Sequence, residues 1–329
     1  MRDSPARMKS GMLFLALNAA LGGGAGAAHA QDYPSKPVRI IIGLAPGGST
    51  DVVARILAQK LSEMWGQNVL VDNRVGAGGT IGADLVVKAQ PDGYTLFVGG
   101  FGPNAMAPGI YPTLPYDPYR DFSHVTLLVT LPLTVIVAAS SPVTGVKELI
   151  ERAKARPGEL KYGSIGVGSS VHVFIELMNM RAGIRTVHVP YKGSVAAVTG
   201  VLASEVDFGM ASISTALPQL STGRIRAIAV TSANPTPRLP GVPPIASVLP
   251  GYEGLEFHTL HAPARTPKPI VAKLQRDVAS VLHLPDVKQR LDVLAMDVRA
   301  STPEQCAAFI KEQIETWTAV ARKANVRAD

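Results

Sequence analysis

Residues 43–51 read G-L-A-P-G-G-S-T-D and follow the apolar run Val38-Arg39-Ile40-Ile41-Ile42. A strand that runs into a glycine loop and then a helix is a common way to hold an anion. The loop offers free N–H groups, and the helix dipole adds a favourable potential behind them. The spacing from Gly43 to Gly48 and Thr50 is that of the phosphate-cradling loop G-x-x-x-x-G-K-[ST], except that Ser49 stands where that loop has Lys. Without the lysine charge the backbone donors remain but the case for a nucleotide weakens. A smaller, less charged anion suits the loop better.

A second stretch has the same build. A strand-like run at 160–164 leads into Gly163-Ser164-Ile165-Gly166-Val167-Gly168-Ser169-Ser170, and a helical pattern begins at Val171-His172. Two such loops could clamp one anion between them, although Gly, Ser and Thr in these positions also simply turn chains and cap helices. A third glycine run, Gly76-Ala77-Gly78-Gly79-Thr80-Ile81-Gly82, imitates the dinucleotide fingerprint but reads G-x-G-x-x-x-G, one residue too long. No acidic residue closes a βαβ unit about twenty residues later, so it reads as a tight helix entry.

The chain has no G-x-S-x-G elbow, no His-Glu pair at zinc spacing and no C-x-x-C, so a catalytic or metal-dependent reading finds little to use. His172, His188, His258 and His261 are scattered. His188 and His261 lie in strand-like runs and read as structural. His172, in the first turn behind the second loop, could donate to a bound anion or brace the loop. Cys306, the one cysteine, sits in a helical pattern and reads as packing.

Loops of this kind need strands and helices to aim them, and the chain alternates accordingly. Strand patterns at 38–42, 68–71 and 94–98 are separated by helical patterns at 51–65 and 81–89, a βαβαβ rhythm that predicts a largely parallel sheet with helices on both faces. Ligands in such sheets sit beyond the carboxyl ends of the strands, where the first loop lies. From 101 to 122 periodicity is lost among five prolines, and two apolar runs follow at 125–130 and 133–139. A second alternating set then runs from 146 to 230, with helices at 146–155, 171–181, 195–203 and 215–220. A proline-rich stretch at 234–250 and helices at 269–284, 286–294 and 303–323 complete the chain. The reading is an α/β chain of two domains joined by two crossings: domain 1 of residues 31–129 plus 256–329, domain 2 of 130–255.

Composition narrows the class. At 329 residues, 47% hydrophobic and 17% charged, with mean hydropathy +0.19, the chain can build a sizeable core. Arg2, Arg7 and Lys9, an apolar run at 12–21 and Ala28-His29-Ala30 make residues 1–30 a secretory leader cleaved after Ala30, which places the mature protein in the periplasm. Removal of the leader leaves 29 basic and 24 acidic residues, scattered and with only 5% aromatics, which is no footprint of a nucleic-acid binder.

Several segments together resemble one family. Tyr33-Pro34-x-Lys36-Pro37-Val38-Arg39, Ala45-Pro46-Gly47-Gly48-x-x-Asp51, Asp72-Asn73-Arg74-x-Gly76-Ala77-Gly78-Gly79, Leu114-Pro115-Tyr116-Asp117-Pro118-x-x-Asp121-Phe122 and His188-Val189-Pro190-Tyr191-Lys192-Gly193 are similar to motifs of the Bug family. These are the extracytoplasmic substrate-binding receptors of tripartite tricarboxylate transporters. The resemblance implies a two-domain periplasmic-binding-protein (Venus-flytrap) fold that holds a ligand carboxylate between the two glycine loops and uses no cofactor. It points to Ala45, Gly47, Gly48 and Asp51 on one side, and to Ser164, Gly168, Ser169, Ser170 and His172 on the other. Asp51 carries the same charge as the ligand, so bracing the loop is its better role.

The sequence departs from the family pattern at Val75, Phe101, Ala107, the pair Ala211-Ser212, and His258 and His261. If Phe101, Ser212 or His258 faces the cleft, the distal pocket differs from that of relatives binding acidic amino acids, and Phe101 would suit an aromatic or long apolar acid. The resemblance implies a monomer that is not an enzyme and hands a small carboxylate to integral membrane transporter subunits. The competing readings are a receptor presenting its ligand to a signalling protein and, last, a nucleotide-binding enzyme.

Overall fold

The computed structural model describes residues 33–327, so the leader expected at 1–30 lies outside the described residues. The first βαβαβ unit forms as its pattern predicts. Strand β1 (Val38–Ile42) is β-branched at four of five positions and buries all but Arg39, whose guanidinium reaches Asp72 at 2.6 Å. Helix α1 (Ser49–Trp65) buries Val53, Ile56, Leu57 and Leu61 at helical spacing and ends at Gly66, left-handed at φ 64°. It delivers the chain to β2 (Val69–Asn73), and α2 (Thr80–Val87) delivers it to β3 (Thr95–Gly99). Both strands pair parallel with β1.

Residues 101–110, expected to lack regular structure, are helical: a π turn over Gly102–Met106 runs into α3 (Ala107–Ile110). Pro103 and Pro108 sit in the first turns of these segments, where a missing N–H costs nothing. The two apolar runs that follow are one strand, β4 (Phe122–Ala138).

The second alternating set comprises α4 (Val146–Ala155), β5 (Lys161–Ser164), α5 (Ser170–Ala182), β6 (Val187–Pro190), α6 (Ser194–Leu202), β7 (Phe208–Ser212), α7 (Ile213–Ser221) and β8 (Ile225–Val230). Strand β9 (Leu255–Pro263), helices α8 (Lys268–Leu282) and α9 (Pro285–Val293), the short β10 (Asp297–Val298) and α10 (Pro303–Lys323) complete the described chain.

The main strand order is β2-β1-β3-β9-β4-β7-β5-β6, with β8 and β10 also pairing β4. The expectation of a largely parallel sheet holds only for the outer strands: β5 pairs parallel with β6 and β7, while every pairing made by β4 or β9 is antiparallel. The reason is connectivity. Strands β4 and β9 carry the chain across the molecule in opposite directions, so they pair with each other antiparallel. Over Phe122–Pro132 β4 pairs with β9, and from Leu133 onward it pairs with β7 and β8. Helix α10 packs across this junction: Trp317 meets Phe101 at 4.9 Å and Phe174 of α5 at 5.0 Å between ring centroids.

Candidate ligand-binding site

The first glycine loop leaves β1 at Gly43, whose Cα has no room for a side chain because a Cβ would sit 2.4 Å from the Gly79 carbonyl oxygen. Gly47 takes φ 86°, which Gly adopts without strain. Its N–H donates to Asp51 Oδ2 at 3.1 Å. Asp51 is buried in the first turn of α1, and it also accepts from Arg55 Nε at 2.8 Å and Asn73 Nδ2 at 3.1 Å. Burial pushes its carboxyl up, but the bonds from Arg55, the Gly47 N–H and Asn73 outweigh burial and hold it below the usual range. Asp51 fixes the loop and keeps its charge turned into these donors.

The second loop is braced from inside by its own side chains. Ser169 is the N-cap of α5: its Oγ accepts from the His172 N–H at 3.3 Å and donates to the Gly166 carbonyl at 2.7 Å. The Gly168 N–H donates to His172 Nδ1 at 3.1 Å, which leaves the ring proton on Nε2. Ser164 Oγ lies 2.5 Å from His188 Nε2 and accepts from the Gly166 N–H at 3.1 Å. Burial, with His188 beside it, pushes His172 down to about 3, and burial pushes His188 down to about 4. Both rings are neutral at pH 7, so His172 braces this loop and brings it no positive charge.

A cavity of about 20 Å³ lies between the loops, roughly the room of one water. Four helices begin at its wall. Gly48, Ser49 and Thr50 open α1, and Val171 lies in the first turn of α5. Gly193 and Ser194 open α6, and Ser212 caps α7 by accepting from the Thr215 N–H. Each helix directs unpaired N–H groups and the positive end of its dipole toward its start, so the four together make a site for negative charge built without a cationic side chain. The wall facing them includes Glu256 on β9, a carboxyl only 5% exposed. Burial pushes Glu256 up to about 7. The Ser170 hydroxyl lies close enough to offset part of that rise, although it makes no hydrogen bond of good geometry.

Of the residues expected at the site, Ala45, Gly48 and Ser212 line the cavity. Gly47 is not among the lining residues, although a Cβ on it would lie 3.3 Å from Val195 of α6, and Asp51, Ser164, Gly168, Ser169 and His172 shape the two loops. Ser170 stands at the start of α5 beside Glu256. Phe101 is not brought to the cavity: it is 1% exposed in a cluster with Phe174, Phe257 and Trp317, so it does not widen or line a distal pocket. His258 is buried behind Thr50, its Nδ1 3.4 Å from Thr50 Oγ1. His261 faces away into a core cluster, Nδ1 to Nδ1 with His124 at 3.1 Å beside the buried thiol of Cys306. The outer nitrogens of this pair meet the Tyr119 carbonyl and Thr259, which satisfies both rings within the protein.

Sequence reasoning placed Ser49 and Thr50 in the first loop without expecting them at the ligand, and missed the Gly193-Ser194 entry to α6 and Glu256. Gly193-Ser194 carried a usable signal, a glycine and a hydroxyl between a strand pattern and a helix pattern, as in the two loops that were recognised. For Glu256 the signal was an isolated acid in the run Leu255-Glu256-Phe257-His258.

Residues 53–326 match the family model described as tripartite tricarboxylate transporter family receptor. The protein BugT of Bordetella pertussis is 32% identical over 300 residues, 91% of this chain and 92% of its own. Rpa4515 of R. palustris, solved with adipate, is 35% identical, covers 90% of this chain and 99% of its own, and superposes with a TM-score of 0.87. MatC from Rhodopseudomonas palustris, solved with bound malate, is 32% identical with a TM-score of 0.83, covering 88% of this chain and 99% of its own.

Proposed function

The chain belongs to the Bug/TctC family of tripartite tricarboxylate transporter receptors, and on that premise we propose that it clamps one small carboxylate at the meeting point of its four helix N-termini. It is a periplasmic solute-binding receptor for small carboxylates, of a family that binds solutes and does not transform them. The convergence of the α1, α5, α6 and α7 N-termini on one cavity carries the assignment of the site. Amide and hydroxyl donors aimed at one point suit a carboxylate, and two similar chains were solved with dicarboxylates, adipate and malate.

The same geometry supports a closing motion. A cavity of about 20 Å³ is too small for an adipate-sized ligand, and the first loop rests on the start of α6, where a Cβ on Gly193 would lie 3.0 Å from that of Ala45. Ligand enters when these surfaces part. In this reading the molecule is a Venus flytrap whose lobes are residues 31–129 plus 256–329 and residues 130–255, with β4 and β9 as the hinge strands. A ligand touching both lobes favours the closed form, which is what the membrane subunits of the transporter recognise on a monomeric receptor.

The test is a thermal-shift and calorimetric screen of the purified protein, stripped of carried ligand, against mono-, di- and tricarboxylates, neutral analogues and nucleotides. A ligand at about 100 times its Kd raises stability by about 2.7 kcal/mol, several degrees in the midpoint. A shift confined to carboxylates, abolished by Ser212→Leu, is the expected result. A shift with nucleotides or neutral compounds alone sinks the reading.

A further inference from the structure

Among the described residues, Glu256 is the only ionisable side chain on the cavity wall. The other polar side chains there, Ser49, Thr50, Ser194 and Ser212, are neutral hydroxyls that can donate to a ligand's carboxylate, as the loop amides can. An acid in the same small cavity is out of place if the ligand is only an anion, because two carboxylates at close quarters repel one another. Among the described residues no Lys, Arg or His lines the cavity to neutralise Glu256. Its neighbour two positions along β9, His258, is neutral and lies behind Thr50. On the adjoining strand β4 the paired residue is Leu131, and on α5 the nearest polar group is the Ser170 hydroxyl. A buried carboxyl in such surroundings is costly unless it takes up a proton or meets a cation.

We propose that Glu256 selects the ligand by pairing with an ammonium group carried close to the carboxylate that the helix N-termini hold, so that this receptor's ligand is an amino carboxylate. The inference rests on the carboxylate reading above and narrows it. A ligand ammonium supplies the cation that ionised Glu256 lacks and leaves the ligand's own carboxylate to the helix N-termini, so both acids are satisfied at once. A ligand that brings a second carboxylate to Glu256 must instead force a proton onto it. Charge balance inside the closed cavity therefore favours the zwitterion.

The experiment measures Kd by calorimetry for pairs of acids that differ by one amine: propionate and alanine, butyrate and 4-aminobutyrate, succinate and aspartate, 3-phenylpropionate and phenylalanine. Each is run on the wild-type chain and on Glu256→Gln and Glu256→Ser. In at least one pair the wild type should prefer the amino member tenfold or more, with the preference reduced to near one in both variants. The score is the ratio within a pair, so a general loss of affinity does not imitate the result. Equal binding within every pair, or a preference that survives Glu256→Gln, overturns the proposal. So does a preference for succinate accompanied by uptake of one proton, read from the dependence of the binding heat on the buffer; Glu256 would then be a neutral donor to a dicarboxylate. If no member of any pair binds while neutral compounds or nucleotides do, the carboxylate reading itself fails.

Discussion

The imidazole of His172 lies flat against that of His188, ring centroids 4.0 Å apart and planes 15° from parallel. The stack stands behind the second glycine loop, where His172 holds the Gly168 amide and His188 meets Ser164. Both rings are held neutral, His172 near 3 and His188 near 4, below the ordinary value of 6.5. An unfolded chain takes up protons on these groups as pH falls through 6.5, whereas the folded chain does not. Stability is therefore present above about 6.5 and is lost as pH falls toward 4. His172→Gln keeps an acceptor for Gly168 but does not titrate. Between pH 6 and 4 the wild type should lose stability relative to this variant by about 1.4 kcal/mol per pH unit. Parallel curves from urea melts would show that the ring titrates as freely in the folded loop as in the unfolded chain.

Asp51 tests whether the first loop is held rigid from within. Its carboxylate takes three donors, from Gly47, Arg55 and Asn73. Asp51→Ala leaves the Gly47 amide without its acceptor and removes one of the two acceptors of Asn73 Nδ2, which keeps the Leu44 carbonyl, a loss of about 2 kcal/mol in line with charge-assisted bonds. Asp51→Asn keeps the shape but presents at most one accepting oxygen, so it should fall between the two. Ligand affinity should fall in the same order, measured by calorimetry. If Asp51→Asn binds a carboxylate more tightly than the wild type, Asp51 repels the ligand directly and its bracing role is secondary.

The βαβ units were legible because their pattern is local: Val38, Ile40 and Ile42 alternate beside a helix whose apolar face repeats at helical spacing. What failed was not local. Pro132 divides β4 into two apparent runs, yet it is tolerated where β4 changes partners, opposite Leu255 and one residue before Leu133 meets Ser212. The prolines near 103 and 108 masked a helix because their positions in its first turns are visible only once the start is known. At the site, glycine-loop spacing exposed two of the four helix entries. The direction in which Glu256 and Phe101 point depends on how β9 and the π turn pack, which no local pattern encodes. The acid faces the cavity and the aromatic ring faces the core.

Two glycines of the first loop should respond in opposite ways. A methyl on Gly43 would lie 2.4 Å from a backbone oxygen of Gly79, and no side-chain rotation relieves it. Gly43→Ala should cost about 2–3 kcal/mol of stability through overpacking. A methyl on Gly48 meets Ser194 Oγ at 3.4 Å and the Ala45 carbonyl oxygen at 3.9 Å, both ordinary contacts, and Gly48 has φ −82°. Gly48→Ala should leave stability within about 0.5 kcal/mol while projecting into the cavity wall, so its carboxylate affinity should drop tenfold or more. Calorimetric Kd and the thermal midpoint together separate the two effects, and a Gly48→Ala variant that binds normally would remove this loop from the site.

Glu256 has a stability signature independent of any ligand. Burial raises its carboxyl to about 7, above the unfolded value near 4.5. The folded chain therefore holds the extra proton between these values, and stability falls as pH rises from 4.5 through 7. Glu256→Gln cannot ionise and escapes that loss. The variant should match the wild type near pH 4.5 and exceed it at pH 8 by about 3 kcal/mol. Urea denaturation at the two pH values checks this. A variant less stable than the wild type at pH 8 would mean that the ionised carboxylate already has an adequate partner inside the protein.

Phe101 separates packing from recognition. Its ring meets Phe174 at 5.1 Å and Trp317 at 4.9 Å, both edge to face, and Phe257 at 6.1 Å, so it joins α5, α10 and β9 behind the site. Phe101→Ser removes a buried aromatic ring and leaves a hydroxyl in its place, which should cost about 3–5 kcal/mol. Phe101→Leu fills most of the space and should cost less, leaving a protein stable enough to bind. Because the ring does not reach the cavity, the ranking of 3-phenylpropionate against butyrate should be the same in Phe101→Leu and the wild type. A reversed ranking would place the ring in the ligand's path when the lobes part, and the aromatic or long-chain selectivity that its position in the sequence suggests would then be an open-state property.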